Sequence, residues 1–203
     1  MIAIVDYGVG NLFSLKSSLQ SVGAEVSVTS EIAELHRAEK IILPGVGAFG
    51  DAAEKLKRGG LADAVKAEAA SGKPLLGICL GMQLLLERSY EYGIHEGLGL
   101  IPGEIRPISE VIPKEYKIPH IGWNALKFSD NKNPLFKYIK DGDFVYFVHS
   151  YYGASCGSSV IATTEYGASL TAAVARGNVY GCQFHPEKSG SVGLKILKAF
   201  CEM

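Results

Sequence analysis

Short apolar runs alternate with longer amphipathic segments through the first half of the chain. The runs at residues 2–5, 25–29, 40–43 and 73–78 predict strands. The segments between them predict helices: one capped by Asn11 and running to about residue 22, one at 51–70 broken at Gly59-Gly60, and one at 82–88. Strands that are apolar on both faces and alternate with helices are typical of parallel sheets covered on both sides. This half predicts an α/β fold with a flavodoxin-like, doubly wound sheet.

The pattern changes past Gly99, where segments become shorter and richer in Pro, Gly, Tyr and Phe. Strands are predicted near 118–128, 143–151, 160–164 and 171–184, with a two-residue hairpin turn at Gly177-Asn178. We expect this half to add antiparallel strands to the mostly parallel sheet, and a helix at 192–201 to end the fold. Because no linker, repeat or low-complexity stretch divides the sequence, we expect one domain over residues 1–203.

Composition and charge exclude several classes of function. The 203 residues carry a net charge of −1 and scattered Lys and Arg residues, so nothing favours nucleic-acid binding. No apolar run approaches the roughly 20 residues that span a bilayer, and the first residues form a strand rather than a signal peptide. The four cysteines include no C-x-x-C pair, which favours free thiols in a reducing cytoplasm.

The segment from Gly77 to Gly81 carries the strongest chemical signal, because it places Cys79 between a buried strand and a helix. A nucleophile flanked by glycines on such a turn is the thiol version of the G-x-S-x-G elbow. Glycine allows strand and helix backbones to approach where a Cβ would collide. The backbone N–H groups at the helix start favour the thiolate form of the cysteine. The N–H of Leu80 would form half of an oxyanion hole. The alternative is a small buried residue with a packing role.

A second segment supplies partners for this thiol. An aromatic and β-branched strand is expected to end at His185, and Pro186 favours an extended conformation there. Residues two apart in an extended chain point to the same side, so Glu187 can face His185. A carboxylate in that position orients an imidazole base. The sequence therefore predicts a catalytic triad of Cys79, His185 and Glu187, against the alternative of a strand-end turn with surface charges.

These motifs resemble a known family. Residues 77–83 followed by His185-Pro186-Glu187 resemble the triad, or class I, glutamine amidotransferases, which release ammonia from glutamine for a partner enzyme. Four further segments are similar to the glutaminase subunits of imidazole glycerol phosphate synthases: 6–12 (DYGVGNL), 44–49 (PGVGAF), 119–124 (PHIGWN) and 146–151 (YFVHSY). The resemblance covers essentially the whole chain and implies the class I glutamine amidotransferase fold.

The resemblance also implies roles for individual residues. Cys79 would attack the side-chain amide of glutamine, and His185 would carry the proton. The peptide between Gly45 and Val46, when it points inward, would supply the second oxyanion donor besides Leu80. The remaining implied contacts to glutamine are Gln83, Gly47 and the backbone of His149, Ser150 and Tyr151. No cofactor or metal is implied.

The implied partner is a cyclase with a (β/α)8 barrel, forming a heterodimer with this chain. Ammonia would pass directly to a phosphoribulosyl formimino aminoimidazole carboxamide ribonucleotide, making imidazole glycerol phosphate and aminoimidazole carboxamide ribotide in histidine biosynthesis. By the same resemblance, Trp123 would gate the passage, and Asn11, Tyr146 and Lys188 would contact the partner.

Four alternatives stay open at this stage. The chain could serve another synthase, such as the one that makes pyridoxal phosphate, or be a redox-sensing thiol protein without an enzymatic role. Cys182 and His185 have a C-x-x-H spacing that hints at zinc, although no second ligand pair appears. Residues 45–50 satisfy G-x-G-x-x-G, a dinucleotide-binding pattern, but they follow the third strand rather than the first.

Overall fold

Strands with apolar residues on both faces form the centre of the molecule. The computed structural model describes residues 1–129 and 132–203. Its strands are β1 (Ile2–Val5), β2 (Val26–Thr29), β3 (Lys40–Leu43), β4 (Leu75–Ile78), β5 (Arg88–Ser89), β6 (His95–Glu96), β7 (Glu104–Pro107), β8 (His120–Ala125), β9 (Lys127–Phe128), β10 (Phe144–His149), β11 (Tyr151–Ala154), β12 (Val160–Glu165), β13 (Ser169–Arg176) and β14 (Val179–Cys182). Its α-helices are α1 (Leu12–Ser21), α2 (Ile32–Arg37), α3 (Phe49–Arg58), α4 (Leu61–Ala70), α5 (Leu80–Leu85) and α6 (Gly190–Cys201).

The main sheet joins both halves of the chain in the order β2-β1-β3-β4-β14-β13-β12-β9. The first five strands are parallel, and β13, β12 and β9 extend the sheet with antiparallel pairing. The mostly parallel, doubly wound sheet predicted from the sequence is thus confirmed. Its decisive pairing is β14 beside β4, in the register Cys182 opposite Ile78. Because parallel strands end at the same edge, the residues after β4 and after β14 are neighbours.

The second half does not enter the main sheet entirely, which differs from our expectation. Strands β8 and β10 pair only with each other, and β11, β7, β5 and β6 form a third small sheet. The single strand predicted at 118–128 divides at Leu126, whose N–H donates to the Asp143 carbonyl oxygen. On one side of this residue β8 pairs with β10, and on the other β9 pairs with β12.

Alternation along β1 shows why both faces of the main sheet are apolar. Ala3 and Val5 belong to a core shared with α3, α4 and α5, whereas Ile2 and Ile4 belong to a second core shared with α1 and α6. Each helix therefore buries one face against the sheet, as a doubly wound fold requires. Within the described part of the chain, no helix is both long enough and apolar enough to cross a membrane.

Helices α1, α3, α4 and α6 agree closely with the sequence prediction, whereas α2 was not predicted and α5 differs in its bounds. The Asn11 side chain accepts from the Ser14 N–H at 3.4 Å and caps α1 as expected. Helix α5 is shorter than the predicted 82–88 and starts earlier, directly after Cys79. It ends because Leu86 is extended and the Glu87 N–H bonds the Gly103 carbonyl oxygen instead of continuing the helix.

Candidate active site

The turn between β4 and α5 holds Cys79 in a strained conformation. Its φ of 54° lies in the left-handed region, which is costly for a residue with a side chain. The flanking glycines make the turn sterically feasible. A Cβ on Gly81 would lie 1.8 Å from the Leu43 carbonyl oxygen, and one on Gly77 would lie 2.7 Å from the Gly81 carbonyl oxygen. The expected close approach of strand and helix backbones at this turn is confirmed.

Strand β14 brings His185 to the same edge of the sheet. The Cys79 N–H donates to the Cys182 carbonyl oxygen at 2.8 Å, which continues the β4–β14 pairing one residue past the strands. His185 is extended before Pro186, as predicted, although the strand itself ends earlier, at Cys182. Its Nδ1 lies 2.8 Å from Glu187 Oε1. Its other ring nitrogen is not engaged by Glu187, and Cys79 is close enough to raise the His185 pKa.

The charge of His185 is set by these two neighbours. Burial lowers its pKa, but the hydrogen bonds and charges of Cys79 and Glu187 outweigh burial and raise the pKa to about 9. The imidazole therefore holds its second proton at neutral pH. Ser189 fixes the segment, since its hydroxyl donates to the His185 carbonyl oxygen at 2.6 Å and accepts from the Tyr146 N–H at 2.9 Å.

A cleft of about 580 Å³ opens in front of Cys79 and contains most of the predicted site residues. Those lining it are Val46, Gly47, Cys79, Leu80, Gln83, His149, Ser150, Tyr151, His185 and Lys188. Gly45 and Glu187 lie outside the cleft, where they line a much smaller cavity together with Asn11. Cys79 is largely buried yet reaches this cleft, so the thiol is not sealed from solvent.

The loop after β3 forms one wall of the cleft. The Tyr7 hydroxyl donates to the Pro44 carbonyl oxygen at 2.7 Å, while Val46 is 41% exposed. Gly47 has a φ of +94°, which favours glycine. A Cβ on Gly45 would lie 2.9 Å from the Gly81 nitrogen, and one on Gly50 would lie 2.7 Å from the His95 ring. In the G-x-G-x-x-G pattern, Gly45 thus allows packing against the elbow and Gly50 against β6, while Gly47 is required by its backbone conformation.

Two buried side chains meet at the Tyr151 carbonyl oxygen, beneath the opposite wall. The Gln83 Nε2–H donates to it at 3.3 Å, and the His149 Nδ1–H donates at 2.8 Å. Behind His149, its Nε2 lies 3.0 Å from His120 Nδ1. Burial lowers the pKa of His149 to about 4, against the opposing hydrogen bond to Tyr151. His149 is therefore a neutral, satisfied residue that supports the wall.

The four residues predicted at a partner interface do not form one cluster, and only Lys188 lines the cleft. Trp123 is half exposed, and its ring makes an edge contact with Tyr146 at 5.9 Å between centroids. Lys188 borders the cleft, whereas Asn11 caps α1 beside the smaller cavity.

Two polar residues of the site escaped the sequence prediction. Glu91 lines the cleft and accepts from the Phe49 N–H at 2.5 Å, but it lies in an irregular loop that no periodicity marks. Gln183 is fully buried, with its Nε2 3.7 Å from Cys79 Sγ. The alternation used to predict Glu187 beside His185 applies equally to Gln183, which precedes His185 by two positions. Glu187 itself reaches His185 from a short 3₁₀ turn, Pro186–Lys188, rather than from extended chain.

The residues that hinted at zinc point to different partners. The Cys182 thiol donates to the Gly77 carbonyl oxygen at 3.8 Å, whereas His185 Nδ1 contacts Glu187 Oε1. Across residues 1–129 and 132–203, no group of three or more His, Cys, Asp or Glu side chains is arranged to hold a metal ion.

Comparison with known proteins identifies the class. A model of the class-I glutamine amidotransferase family matches residues 3–203, so the chain belongs to that family. Relatives named imidazole glycerol phosphate synthase subunit HisH are close in sequence. The one from Caldanaerobacter subterraneus is 50% identical, covering 100% of this chain and 98% of its own, and the one from Wolinella succinogenes is 49% identical, covering 100% of both. The family resemblance inferred from the sequence is confirmed.

Solved structures agree on the fold. A chain in the structure of PurLQS from Thermotoga maritima superposes with a TM-score of 0.78 at 23% identity, covering 99% of this chain and 97% of its own. A crystal structure of a glutamine amidotransferase gives 0.77 at 18% identity, covering 100% and 98%. At such identities the similarity concerns the fold alone.

Proposed function

We propose that this chain hydrolyses L-glutamine to glutamate and ammonia and passes the ammonia to a cyclase subunit with a (β/α)8 barrel. The observation that carries the proposal is that Cys79 and His185 line an open cleft and that Glu187, just outside it, contacts His185 Nδ1. Nucleophilic acyl transfer needs a nucleophile, a base and a group that orients the base, which here are a thiol, an imidazole and a carboxylate. Family membership directs this chemistry to glutamine.

Catalysis begins when Cys79 Sγ attacks the side-chain amide carbon of glutamine. His185 takes the thiol proton and delivers it to the leaving nitrogen as the C–N bond breaks and ammonia departs. Water then attacks the glutamyl thioester with His185 as base, which releases glutamate and restores the thiol. The raised pKa of His185, about 9, keeps that proton available at neutral pH.

Two backbone N–H groups bind the oxyanion of the tetrahedral intermediates. One belongs to Leu80 at the start of α5, and the other to Val46 when the peptide between Gly45 and Val46 points into the cleft. Removing one such donor typically costs about 10²–10³ in rate. An outward peptide therefore suffices to keep glutamine hydrolysis slow until the partner is ready.

The cleft walls bind the amino-acid end of glutamine. The backbone of His149, Ser150 and Tyr151 contacts it on one side, and Gly47 on the other. The Glu91 carboxylate pairs with the α-ammonium group, for which the cleft offers this acceptor near its rim. Gln83 binds the substrate glutamine through its side-chain oxygen, since its Nε2 is already engaged with Tyr151 and Gln183.

Ammonia must pass to the partner without entering bulk water, where it becomes unreactive ammonium. The relatives' names assign them to imidazole glycerol phosphate synthase, which supports a cyclase of histidine biosynthesis as that partner. Trp123 and Tyr146 flank the passage, and Asn11 and Lys188 contact the partner. The four free thiols support a cytoplasmic location, and the main sheet that joins both halves supports a single domain.

Substituting Cys79 tests the proposal. We expect Cys79→Ala to abolish glutamate release and glutamine-dependent product formation by the complex with the cyclase. The same complex should still form product from ammonium salts, because the acceptor site belongs to the partner. Cys201→Ala is the matched control, because this partly buried thiol lies at the end of α6, and its removal should leave both activities intact. Loss of the ammonium-dependent activity in Cys79→Ala would show that Cys79 maintains the fold or the interface instead.

A further inference from the structure

Gln183 is a buried polar residue that the mechanism above does not use. It follows β14 directly, and its backbone N–H donates to the Ala172 carbonyl oxygen at 2.8 Å. Its side chain is fully buried between two groups of the site. Nε2 lies 3.7 Å from Cys79 Sγ, within hydrogen-bonding distance for sulfur, and Oε1 lies 3.0 Å from Gln83 Nε2.

The orientation of both amides is fixed by the Tyr151 carbonyl oxygen. This oxygen can only accept, so Gln83 must turn its Nε2 toward it, at 3.3 Å. The same nitrogen also lies against the Gln183 side chain, which must therefore present its oxygen to Gln83. The Gln183 NH₂ group is then left facing Cys79. One backbone acceptor thus determines, through two side chains, that the sulfur faces a donor.

We propose that Gln183 is a further catalytic residue, which donates a hydrogen bond to Cys79 Sγ and stabilises the thiolate. Hydrogen bonds to an ionised partner are about twice as strong as neutral ones, so the amide favours the thiolate over the weakly accepting thiol. Gln183 precedes His185 by two positions and both residues neighbour Cys79, so the Gln183 amide adds a donor to the sulfur beside the imidazole base. This inference rests on the proposed role of Cys79.

The contacts also couple the glutamine-binding wall to the nucleophile. The path runs from the Tyr151 carbonyl through Gln83 and Gln183 to Cys79, and every step is a direct hydrogen bond. A purely structural role for Gln183 would be to hold Gln83 in place. The two roles use different atoms, because support of Gln83 needs the side-chain oxygen and stabilisation of the thiolate needs the nitrogen.

Two substitutions separate these roles. Gln183→Glu keeps an oxygen that accepts from Gln83 but replaces the donor to sulfur by a carboxylate. Gln183→Met has a similar length and removes both contacts. The readout is the rate of Cys79 alkylation by iodoacetamide against pH, in the full chain bound to its cyclase, with the modified residue identified by peptide mass. Glutamine kcat/KM is measured in parallel.

We expect the alkylation profile of Gln183→Met to shift to higher pH by about one unit, and kcat/KM to fall about tenfold to a hundredfold. Gln183→Glu should shift further, because a charge opposes the thiolate. A Gln183→Glu profile equal to that of the unaltered chain would overturn the proposal and leave Gln183 as a support for Gln83. If Gln183→Glu does not fold, an unshifted profile in Gln183→Met overturns it equally. Alkylation of Cys79 needs no glutamine. Failure of the proposed glutaminase activity would therefore appear separately, as an unaltered chain whose Cys79 is alkylated but which does not hydrolyse glutamine.

Discussion

At the scale of single residues, the site depends on groups that are held in unfavourable states. Cys79 keeps a left-handed φ of 54°, and Glu187 is buried with its Oε2 lacking a hydrogen-bond partner among the described residues. Buried, incompletely satisfied carboxylates are costly, and they persist where a neighbouring charge compensates. His185 is that neighbour, since Glu187 is one of the groups that raise its pKa.

Replacing Glu187 by Gln should separate the effect of its negative charge from the effect of its side-chain volume. The amide keeps the side-chain volume, but it no longer stabilises the imidazolium, so the pKa of His185 should fall. We expect kcat/KM for glutamine to fall about 10²–10⁴-fold with little change in affinity. The alkaline limb of the pH–rate profile should move to lower pH than in the unaltered chain, where the pKa of His185 is about 9. An unchanged limb would show that Glu187 does not act on His185.

His149 predicts a dependence of stability on pH. Burial lowers its pKa in the folded chain to about 4, whereas the pKa of a histidine in an unfolded chain is about 6.5. Between these values the unfolded state binds more protons, so the free energy of unfolding falls as the pH falls, by about 3 kcal/mol in total. Above about pH 6.5 this contribution is fully present.

The corresponding variant is His149→Asn, whose amide can still donate toward the Tyr151 carbonyl. Urea unfolding between pH 4 and 7 should give a shallower loss of stability for this variant than for the unaltered chain. Comparing slopes removes any constant destabilisation caused by the substitution. Parallel curves would mean that His149 is protonated equally in the folded and unfolded states.

At the scale of elements, glycine contacts hold the elbow against β3. Gly81→Ala would push a Cβ to 1.8 Å from the Leu43 carbonyl oxygen, and backbone cannot move aside as a side chain can. We expect a loss of stability of about 3 kcal/mol or more, and loss of glutamine hydrolysis. Gly59→Ala is the control, because its φ is −88° and its Cβ would make an ordinary 3.7 Å contact with Leu61. Thermal unfolding should separate the two variants; equal midpoints would contradict this account of the elbow.

Elements that repeat a pattern could be predicted from the sequence, and those built by distant pairing could not. Strand β3 and the division of α3 from α4 at Gly59-Gly60 follow from local apolar periodicity and from glycine. Strands β5 and β6 are two residues each. They exist only because β5 pairs with β6 on one side and with β7 on the other. The six-residue α2 was likewise missed, since it is too short to show a period.

The same distinction applies to the site. Cys79 and His185 carried local signals, a glycine-flanked turn and a proline, that indicated their positions before any tertiary information. Glu91 enters the cleft through a loop that is held by the N–H of Phe49, a contact between distant parts of the chain. Gln183 depends on the orientation of Gln83, which is set by Tyr151. Such residues become visible only when the fold brings their partners together.

At the scale of the whole molecule, the topology connects an exposed surface to the triad. Trp123 lies opposite Tyr146 in the β8–β10 pair, and the Tyr146 carbonyl oxygen accepts from the His185 N–H at 3.0 Å. The connection to His185 uses only the backbone of β10, so removing the Trp123 ring leaves this contact intact. Exposed Phe144 shares the same two-stranded sheet at its far end and has no such link to His185.

Trp123→Ala should therefore leave glutamine hydrolysis by the complex near its normal rate and lower the amount of cyclase product formed per glutamine cleaved. Its ring occupies the space that we assign to the ammonia passage, and its removal lets ammonia escape as ammonium. Phe144→Ala, which removes a comparably exposed aromatic side chain from the same sheet, should keep the ratio near one product per glutamate. Both ratios are obtained by quantifying glutamate and product in the same reaction. If Trp123→Ala also kept full coupling, the passage would have to lie elsewhere. If it abolished hydrolysis, the ring would support β10 and His185 rather than the transfer of ammonia.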